Sequence, residues 1–443
     1  MKIIHLLPLA LCFVSISTGC GHGHKWQEIK KPEYFAGRAT YTHGTMYYKS
    51  CSECGAISKE TFADDDKLTY RFNINEYEEK DADGMAEVLG GKDIIKIFIS
   101  ATQRFRKYKI NYDTYNLKNE RIQLSAALLI PFDDGEPDID GFVIDHHPTI
   151  TGKDKCPTNM WTEMTLNVVN SCAVLQCDLL GLGDSEDKVF DYHCRHLSDR
   201  NTMDAIFACQ QIILHNFNVD IANLKMFNVG YSQGGYDSLS FLRYMEQEAT
   251  DEEKALVHIK KTYSGSGAYN IQIMFDKSLE NESFKYIEYI LMGVMSTHEY
   301  HPECYTKTVD DYLTPAGKEL HEILEQKDDD VLAEFKNSHD ISPHKIFVPE
   351  YLDDKTSEWS KSVERAAAKE NLLDGNWKPS GEVWMFYPVN DDMVTTECSK
   401  EAERVFAGLD NVQFFVDDFS KDHRSAGTPF YVINFIDILT SNN

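Results

Sequence analysis

Short apolar segments alternate with helical segments through the middle of this 443-residue chain. Strand-like segments follow one another at 141–144, 173–175, 226–229 and, more weakly, 259–263. Between the second and third of them lies 201–214, whose apolar residues recur at helical intervals. This alternation is typical of βαβ units. It predicts an α/β fold with a mostly parallel central sheet flanked by helices.

The same rhythm predicts how the chain is divided. Residues 271–375 interrupt it with stretches rich in Glu, Lys, Asp and Tyr that have helical patterns, and strand-like segments resume at 382–386 and 412–416. We interpret the interruption as an inserted helical lid. The predicted organisation is a signal peptide at 1–19, a linker and N-terminal extension at 20–100, a first core part at 101–270, a lid insertion at 271–375 and a second core part at 376–443.

The first twenty residues have the pattern of a secretory signal, with Lys2 before an apolar run and small residues after it. The apolar run of about a dozen residues is too short to span a bilayer as a helix. Its end, Ser17-Thr18-Gly19-Cys20, resembles a bacterial lipoprotein processing site, which implies a lipid on Cys20 and a membrane tether. We therefore expect a secreted cell-envelope lipoprotein, periplasmic or surface-exposed. The alternative is ordinary cleavage after Gly19, leaving an unmodified thiol.

Charge and ligand spacing exclude or disfavour several partners. Lys and Arg number 44 against 72 Asp and Glu, so the net charge of −28 repels phosphate backbones and disfavours nucleic-acid binding. Cys51 and Cys54 have CxxC spacing but lack a second ligand pair, and His22 and His24 lack further ligands. Neither pair therefore predicts a metal site, and Cys51 and Cys54 are interpreted as a local disulfide or two free thiols.

A G-x-S-x-G pattern marks the candidate nucleophile. Ser232 lies in Gly-Tyr-Ser-Gln-Gly-Gly at 230–235, between an apolar strand and a predicted helix at 236–245. A sharp turn between strand and helix exposes the serine hydroxyl, and flanking glycines remove Cβ clashes there. The N–H of Gln233 would then point at a developing oxyanion, aided by the helix dipole.

These residues resemble the α/β-hydrolase superfamily, within it the lid-bearing secretory lipases and prolyl-oligopeptidase-like esterases. The resemblance runs from about residue 108 to the C-terminus. The segments that carry it are 147–149, 178–185, 230–235, 264–269 and 388–394. Two positions differ from the family pattern, because Pro148 replaces an oxyanion-loop glycine and Tyr387-Pro388 replaces His-Gly before the acid loop.

The resemblance implies a base and an orienting acid for Ser232. In this superfamily the acid and the histidine follow the serine in that order, each on a loop after a strand. Asp391 and His423 occupy such loops, so we expect Asp391 to orient His423 and His423 to take the proton of Ser232. The adjacent Asp392 is the rival acid, whereas Asp422 directly precedes the histidine and is expected to point elsewhere.

A second oxyanion donor is expected from the loop after the 141–144 strand. Pro148 has no N–H, which leaves the N–H of Thr149 as the best candidate. His146 and His147 are interpreted as packing residues and not as catalytic groups.

The resemblance implies hydrolysis of carboxylic esters through an acyl-enzyme on Ser232, with a small-molecule or lipid ester as substrate and with no metal and no cofactor. A serine peptidase of the same fold remains an alternative, because the same three residues serve both reactions. A non-catalytic surface lipoprotein built on a hydrolase scaffold is a third interpretation.

Overall fold

The computed structural model describes residues 26–33, 45–51, 57–63, 71–90, 98–118 and 120–442. The predicted signal peptide, Cys20 and the remaining parts of the predicted linker lie outside these ranges. Among the described residues, no helix combines the length and apolar character needed to cross a membrane.

The described residues form thirteen strands and thirteen α-helices, numbered here in chain order. The strands are β1 (Trp26–Glu33), β2 (Thr45–Cys51), β3 (Ile57–Ala63), β4 (Arg71–Asp81), β5 (Arg104–Tyr115), β6 (Arg121–Asp133), β7 (Glu136–Pro137), β8 (Gly141–His146), β9 (Cys172–Cys177), β10 (Lys225–Tyr231), β11 (Ile259–Gly265), β12 (Glu382–Pro388) and β13 (Val412–Asp417). The helices are α1 (Ala82–Val88), α2 (Arg195–Phe217), α3 (Gln233–Gln247), α4 (Asp251–Leu256), α5 (Ile271–Leu279), α6 (Ile287–Tyr300), α7 (Pro315–Gln326), α8 (Asp329–Ser338), α9 (Pro343–Ile346), α10 (Pro349–Leu352), α11 (Glu358–Lys369), α12 (Thr396–Val405) and α13 (His423–Asn442).

All the strands belong to one sheet with two halves. Its order is β1-β2-β3-β4-β5-β6-β9-β8-β10-β11-β12-β13, with β7 paired beside β6. From β9 to β13 every neighbouring pair is parallel, whereas β1 to β6 and the β6–β9 pair are antiparallel. The predicted α/β class with parallel central strands is confirmed. The antiparallel half extends the sheet on one side.

Helices cover both faces of the sheet. All six residues of β8 and of β9 are buried, as expected for parallel strands with both faces covered. Along β6, Leu124, Ala126 and Leu128 pack in the core that contains α2 and α3, while Ala127 and Leu129 pack in the core that contains α13. Successive side chains of a strand point to opposite faces, so β6 contributes to both apolar layers.

The region predicted as a linker and extension contains regular structure where it is described. The strands β1 to β4 form antiparallel pairs that continue the sheet outward from β5. After β4, the side chain of Asp81 caps α1 by accepting the N–H of Gly84 at 2.9 Å.

The chain between β11 and β12 forms the helices α5 to α11. Helix α7 begins at a Thr314 cap, whose hydroxyl accepts the N–H of Gly317 at 3.2 Å, and buries Leu320, Ile323 and Leu324. Gly317 is required there because a Cβ would lie 2.1 Å from the carbonyl oxygen of Ile346. This helical insertion leaves and rejoins the sheet at the carboxyl end of β11 and the start of β12.

The strand order reverses direction between β8 and β10. After β8 the chain moves outward to β9, and it then returns across β8 to form β10 on the other side. At such a switch point the loops after the two strands diverge and leave a crevice, where open α/β sheets bind their ligands. The residues that follow β8 and β10 are the Thr149 loop and Ser232.

Candidate active site

Ser232 occupies a strained turn between β10 and α3. Its φ of 62° and ψ of −122° lie in a region that non-glycine residues rarely adopt. Such a conformation costs about 1–3 kcal/mol and persists only where the surroundings hold it. Here the N–H of Ser232 donates to the carbonyl oxygen of Gly265 at 2.8 Å, which ties the turn to the end of β11. The residue is 9% exposed.

Three glycines around Ser232 are needed for close backbone approaches. A Cβ on Gly230 would lie 1.9 Å from the carbonyl oxygen of Gly234, and one on Gly235 would lie 2.1 Å from that of Gly265. A Cβ on Gly234 would lie 2.0 Å from the carbonyl oxygen of His146. The glycine pattern therefore follows from packing the start of α3 directly onto β8, β10 and β11.

Asp391 and His423 form a buried pair. The Nδ1 of His423 lies 2.8 Å from Oδ2 of Asp391 and 3.0 Å from Oδ1. The carboxylate also accepts the N–H groups of Met393 at 3.1 Å and Val394 at 2.8 Å, and it accepts the hydroxyl of Ser266. The carboxylate presents an acceptor oxygen to Nδ1, which favours the imidazole tautomer that carries its proton on Nδ1.

The other two acidic candidates do not contact the imidazole. Asp392 accepts the backbone N–H of His423 at 3.1 Å and the hydroxyl of Tyr286 at 2.9 Å. Burial and the neighbouring carboxylate raise the pKa of Tyr286 to about 12, so it remains a donor at neutral pH. Asp422 caps the turn that begins α13 by accepting the N–H of Ser425 at 2.8 Å.

Nε2, the imidazole nitrogen of His423 that does not face Asp391, is buried near the end of β10, the strand that leads to Ser232. The His423 ring lies 4.9 Å from the ring of Tyr231, whose hydroxyl donates to the His423 carbonyl oxygen at 2.7 Å. Nε2 has no hydrogen-bond partner among the described residues, so the Ser232–His423 hydrogen bond is not formed in this structure. Such hydrogen bonds are often formed only when substrate is bound.

The two predicted oxyanion donors line one cleft with Ser232. The N–H of Gln233 is the first of α3, so it has no acceptor within the helix. Thr149 lies in the wall of the same cleft as Ser232 and Gln233, and its hydroxyl is 3.2 Å from that of Tyr192. The structure thus brings Ser232, Gln233 and Thr149 to one cleft, while Cys20 lies outside the described residues.

The cleft is narrow and mostly apolar. Besides the residues named above, its walls are formed by Tyr192, His193, Ala268, Met274, Phe275, Tyr289, Ile290, Met393 and Val394. Its volume of about 20 Å³ has room for little more than a single water molecule. Helices α5 and α6 of the insertion supply Met274, Phe275, Tyr289 and Ile290. An occupant larger than a water molecule therefore requires these helices or their side chains to move.

The two histidines after β8 are buried packing residues. Nε2 of His146 lies 2.9 Å from Oδ1 of Asn228, and Nδ1 of His147 lies 2.7 Å from the carbonyl oxygen of Pro148. Burial lowers the pKa of His146 to about 4 and lowers that of His147 as well. Both rings are therefore neutral at physiological pH and hold the loop that carries Thr149.

The lowered pKa of His146 predicts that the free energy of unfolding decreases at low pH. The unfolded chain takes up a proton on this histidine near pH 6.5, whereas the folded protein takes it up only near pH 4, so folding is progressively disfavoured as pH falls between these values. In His146→Gln the Nε2 of glutamine can still donate to Asn228 but cannot be charged. We expect the stability lost between pH 7 and pH 4.5 to be about 2 kcal/mol smaller than in wild type.

Urea unfolding at the two pH values measures this difference. Asp145 and His147, the titratable neighbours of His146 in the chain, are present in both proteins, so their contributions largely cancel in the comparison. Equal losses of stability in the two proteins would show that His146 does not titrate as its burial requires.

Several residues that support the site were not found from the sequence. Ser266 binds the Asp391 carboxylate, Tyr286 binds Asp392 and Tyr231 binds the His423 carbonyl oxygen. Ser266 and Tyr231 lie in the segments 264–269 and 230–235 that carry the family resemblance, but the sequence assigned them no role. Tyr286 lies in the insertion, and no local pattern marks it.

Comparisons with known proteins identify the fold. No family model and no curated protein matches the chain. A putative hydrolase from Legionella pneumophila matches with a TM-score of 0.70 at 18% identity, over 83% of this chain and 98% of that one. The rice cell wall degrading esterase LipA from Xanthomonas oryzae matches with a TM-score of 0.65 at 18% identity, over 83% and 96%.

A lipase of lower structural similarity also matches the chain. Candida antarctica lipase A in its closed state matches with a TM-score of 0.56 at 14% identity, over 84% of this chain and 82% of that one. At such identities the likeness shows the fold. The chain therefore has the α/β-hydrolase fold, as its sequence motifs predict.

Proposed function

We propose that this protein is a serine hydrolase that cleaves carboxylic esters through an acyl-enzyme on Ser232. The observation that carries the proposal is the buried Asp391–His423 pair, whose unpaired Nε2 lies beside the strand end that bears the strained Ser232. The printed descriptions of the similar solved structures as hydrolase, esterase and lipase support it.

The reaction proceeds in two halves. Nε2 of His423 takes the proton of the Ser232 hydroxyl as its oxygen attacks the acyl carbon, and the N–H groups of Gln233 and Thr149 bind the resulting oxyanion. His423 then gives that proton to the departing alkoxide, which leaves as the alcohol. In the second half a water molecule, deprotonated by His423, attacks the acyl-enzyme, and the returned proton restores Ser232 as the acid leaves.

Covalent labelling tests the nucleophile directly. A fluorophosphonate probe should react with the full chain, and peptide mapping by mass spectrometry should locate the adduct on Ser232. An unlabelled protein would support the non-catalytic interpretation instead, and an adduct on another serine would move the nucleophile.

The cleft favours an uncharged acyl group. Its walls combine aromatic and aliphatic side chains with the hydroxyls of Thr149 and Tyr192. Hydrolysis rates for p-nitrophenyl esters of increasing chain length, measured beside aminoacyl anilides, distinguish the ester hydrolase from the peptidase alternative. Preferred cleavage of the anilides would replace the proposal with a peptidase.

The helical insertion acts in this proposal as the lid over the cleft. The ring of Phe275 on α5 packs onto Gly293 of α6, where a Cβ would lie 2.7 Å from Cζ. In Phe275→Ala this wall is removed and the two helices lose their close contact. We expect kcat/KM for a long-chain ester to rise about tenfold relative to that for the acetate ester. Each additional methylene group that an apolar pocket accepts changes kcat/KM by about tenfold or more.

Phe347→Ala is the matched control for Phe275→Ala. Phe347 is also fully buried within the insertion and packs on Tyr351 at a ring distance of 5.3 Å, but it is not part of the cleft wall. It should lose stability without a change in chain-length preference. Equal changes in both variants would mean that general loosening, and not the cleft wall, sets the preference.

Export and lipid attachment are also part of the proposal. They rest on the signal pattern of residues 1–19 and on Cys20, and they give the hydrolase a membrane tether in the cell envelope. The mass of the mature N-terminal peptide tests them, since a diacylglycerol-modified Cys20 and an unmodified Cys20 differ by the mass of the lipid.

A further inference from the structure

A second cluster of reactive side chains lies outside the proposed active site. Cys194 precedes helix α2, His301 follows α6 and Glu370 follows α11, and one ligand atom from each lies within 4.8 Å of the other two. All three residues are buried. The cluster joins the start of a core helix to the ends of two helices of the insertion.

The three side chains of the cluster contact one another, and the Cys194 thiol hydrogen-bonds the Glu370 side chain. The N–H of Arg195 donates to Oε2 of Glu370 at 2.8 Å, while Oε1 contacts Nε2 of His301. Asp191 interacts electrostatically with both Cys194 and Glu370. Its carboxyl group is buried and lies against the backbone of Asp191 itself and of Leu180, with no side-chain hydrogen bond among the described residues. A cation bound by the three ligands would therefore be stabilised by the neighbouring Asp191 carboxyl group as well.

The donor set is that of a zinc site. Zinc binds thiolate sulfur, imidazole nitrogen and carboxylate oxygen at about 2.0–2.3 Å in a tetrahedron, which places its ligand atoms roughly 3.5 Å apart. In this structure the three ligand atoms lie within 4.8 Å of one another. Side-chain movements of about an ångström would bring them to the spacing of a zinc-bound set. One thiolate and one carboxylate neutralise Zn²⁺, which suits a buried position.

We propose that Cys194 Sγ, His301 Nε2 and Glu370 Oε1 bind a zinc ion, with a water molecule in the fourth position that donates a hydrogen bond to Asp191. This site differs from the sequence-based expectation of no metal. Its three ligands come from distant parts of the chain and share no spacing motif. The bound ion would fasten the insertion to the core at the start of α2, with His301 at the C-terminal end of α6 and Glu370 after α11.

Cobalt substitution tests the proposal on the full-length protein. After removal of metal with a chelator, Co²⁺ should bind once per chain and give the charge-transfer absorption of a cobalt–thiolate bond, and Zn²⁺ should displace it with the same stoichiometry. Wild-type protein without a thiolate band would overturn the proposal and leave a His301–Glu370 ion pair only. This measurement needs no variant and does not depend on hydrolase activity.

Variants then identify the ligands. Cys194→Ser should lose the thiolate band and bind Zn²⁺ at least about 100-fold more weakly, and Asp191→Asn should weaken binding about tenfold while keeping the band. Cys209→Ser is the matched control, because Cys209 is a buried free thiol within α2 and outside the cluster. If Cys209→Ser lost the band and Cys194→Ser kept it, the site would lie elsewhere.

Discussion

Ser232→Ala is expected to lower kcat for ester hydrolysis by about 100,000-fold and to abolish fluorophosphonate labelling. The hydroxyl is the only part of the residue that the proposed reaction uses, and alanine leaves the backbone donors around the cleft unchanged. The activity that remains over water would come from those donors and from substrate binding. The measurement is kcat with a p-nitrophenyl ester, together with probe labelling of the same preparations.

Ser238→Ala is the matched control for this prediction. Ser238 is a fully buried serine of α3, the helix that follows Ser232. Its hydroxyl donates to the carbonyl oxygen of Gly235 at 3.0 Å. Its loss should cost about 1 kcal/mol of stability while kcat stays within a fewfold of wild type. Undiminished labelling of Ser232→Ala would remove Ser232 from the mechanism.

The backbone of Ser232 offers an independent measurement. Its φ of 62° strains serine and alanine equally but is accessible to glycine. Ser232→Gly should therefore be more stable to unfolding than Ser232→Ala by about 1 kcal/mol. A positive difference would show that the backbone strain at Ser232 is present in the folded protein and is relieved by glycine, and equal stabilities would show that it is not.

The sequence predicted those parts of the molecule in which local chemistry determines the structure. The Ser232 turn is one such part. A Cβ atom on Gly230, Gly234 or Gly235 would lie within 2.1 Å of a backbone carbonyl oxygen. Only glycine fits such positions, so the pattern indicates the turn. The buried strands β8 and β9 are another case, because two covered faces require unbroken apolar runs.

The parts that the sequence did not predict depend on contacts between distant residues. Ser266 and Tyr286 became part of the site through the packing of β11 and of the insertion against the loop after β12. The cluster of Cys194, His301 and Glu370 arises where three helix ends meet, and the last two are 69 residues apart. No periodicity or motif encodes such a meeting.

Residues before β5 illustrate the same limit. Their acidic composition and irregular pattern indicated a linker, yet the described parts pair as antiparallel strands beyond β5. Strand pairing at the edge of an existing sheet is determined by the neighbouring strand, since backbone groups supply the hydrogen bonds and half-exposed positions tolerate polar side chains.

The acid of the proposed triad is the second residue for which a large effect is expected. Oδ1 of Asp391 accepts N–H groups from Met393 and Val394, while Oδ2 faces Nδ1 of His423 at 2.8 Å. In Asp391→Asn those two N–H donors hold the amide oxygen, so the amide nitrogen must face the imidazole. A donor there requires Nδ1 to be an acceptor, which moves the imidazole proton to Nε2.

An imidazole protonated at Nε2 cannot accept the proton of Ser232, so Asp391→Asn should lower kcat by about 10,000-fold. Asp392→Asn is the adjacent control. In this variant the amide oxygen can still accept the backbone N–H of His423. Only the carboxylate oxygen that accepts the Tyr286 hydroxyl is replaced, by an NH₂ group, so kcat should fall by less than about tenfold. Matching thermal unfolding curves would exclude misfolding as the cause. The reverse ranking of the two variants would transfer the orienting role to Asp392 and require the loop after β12 to rearrange when substrate binds.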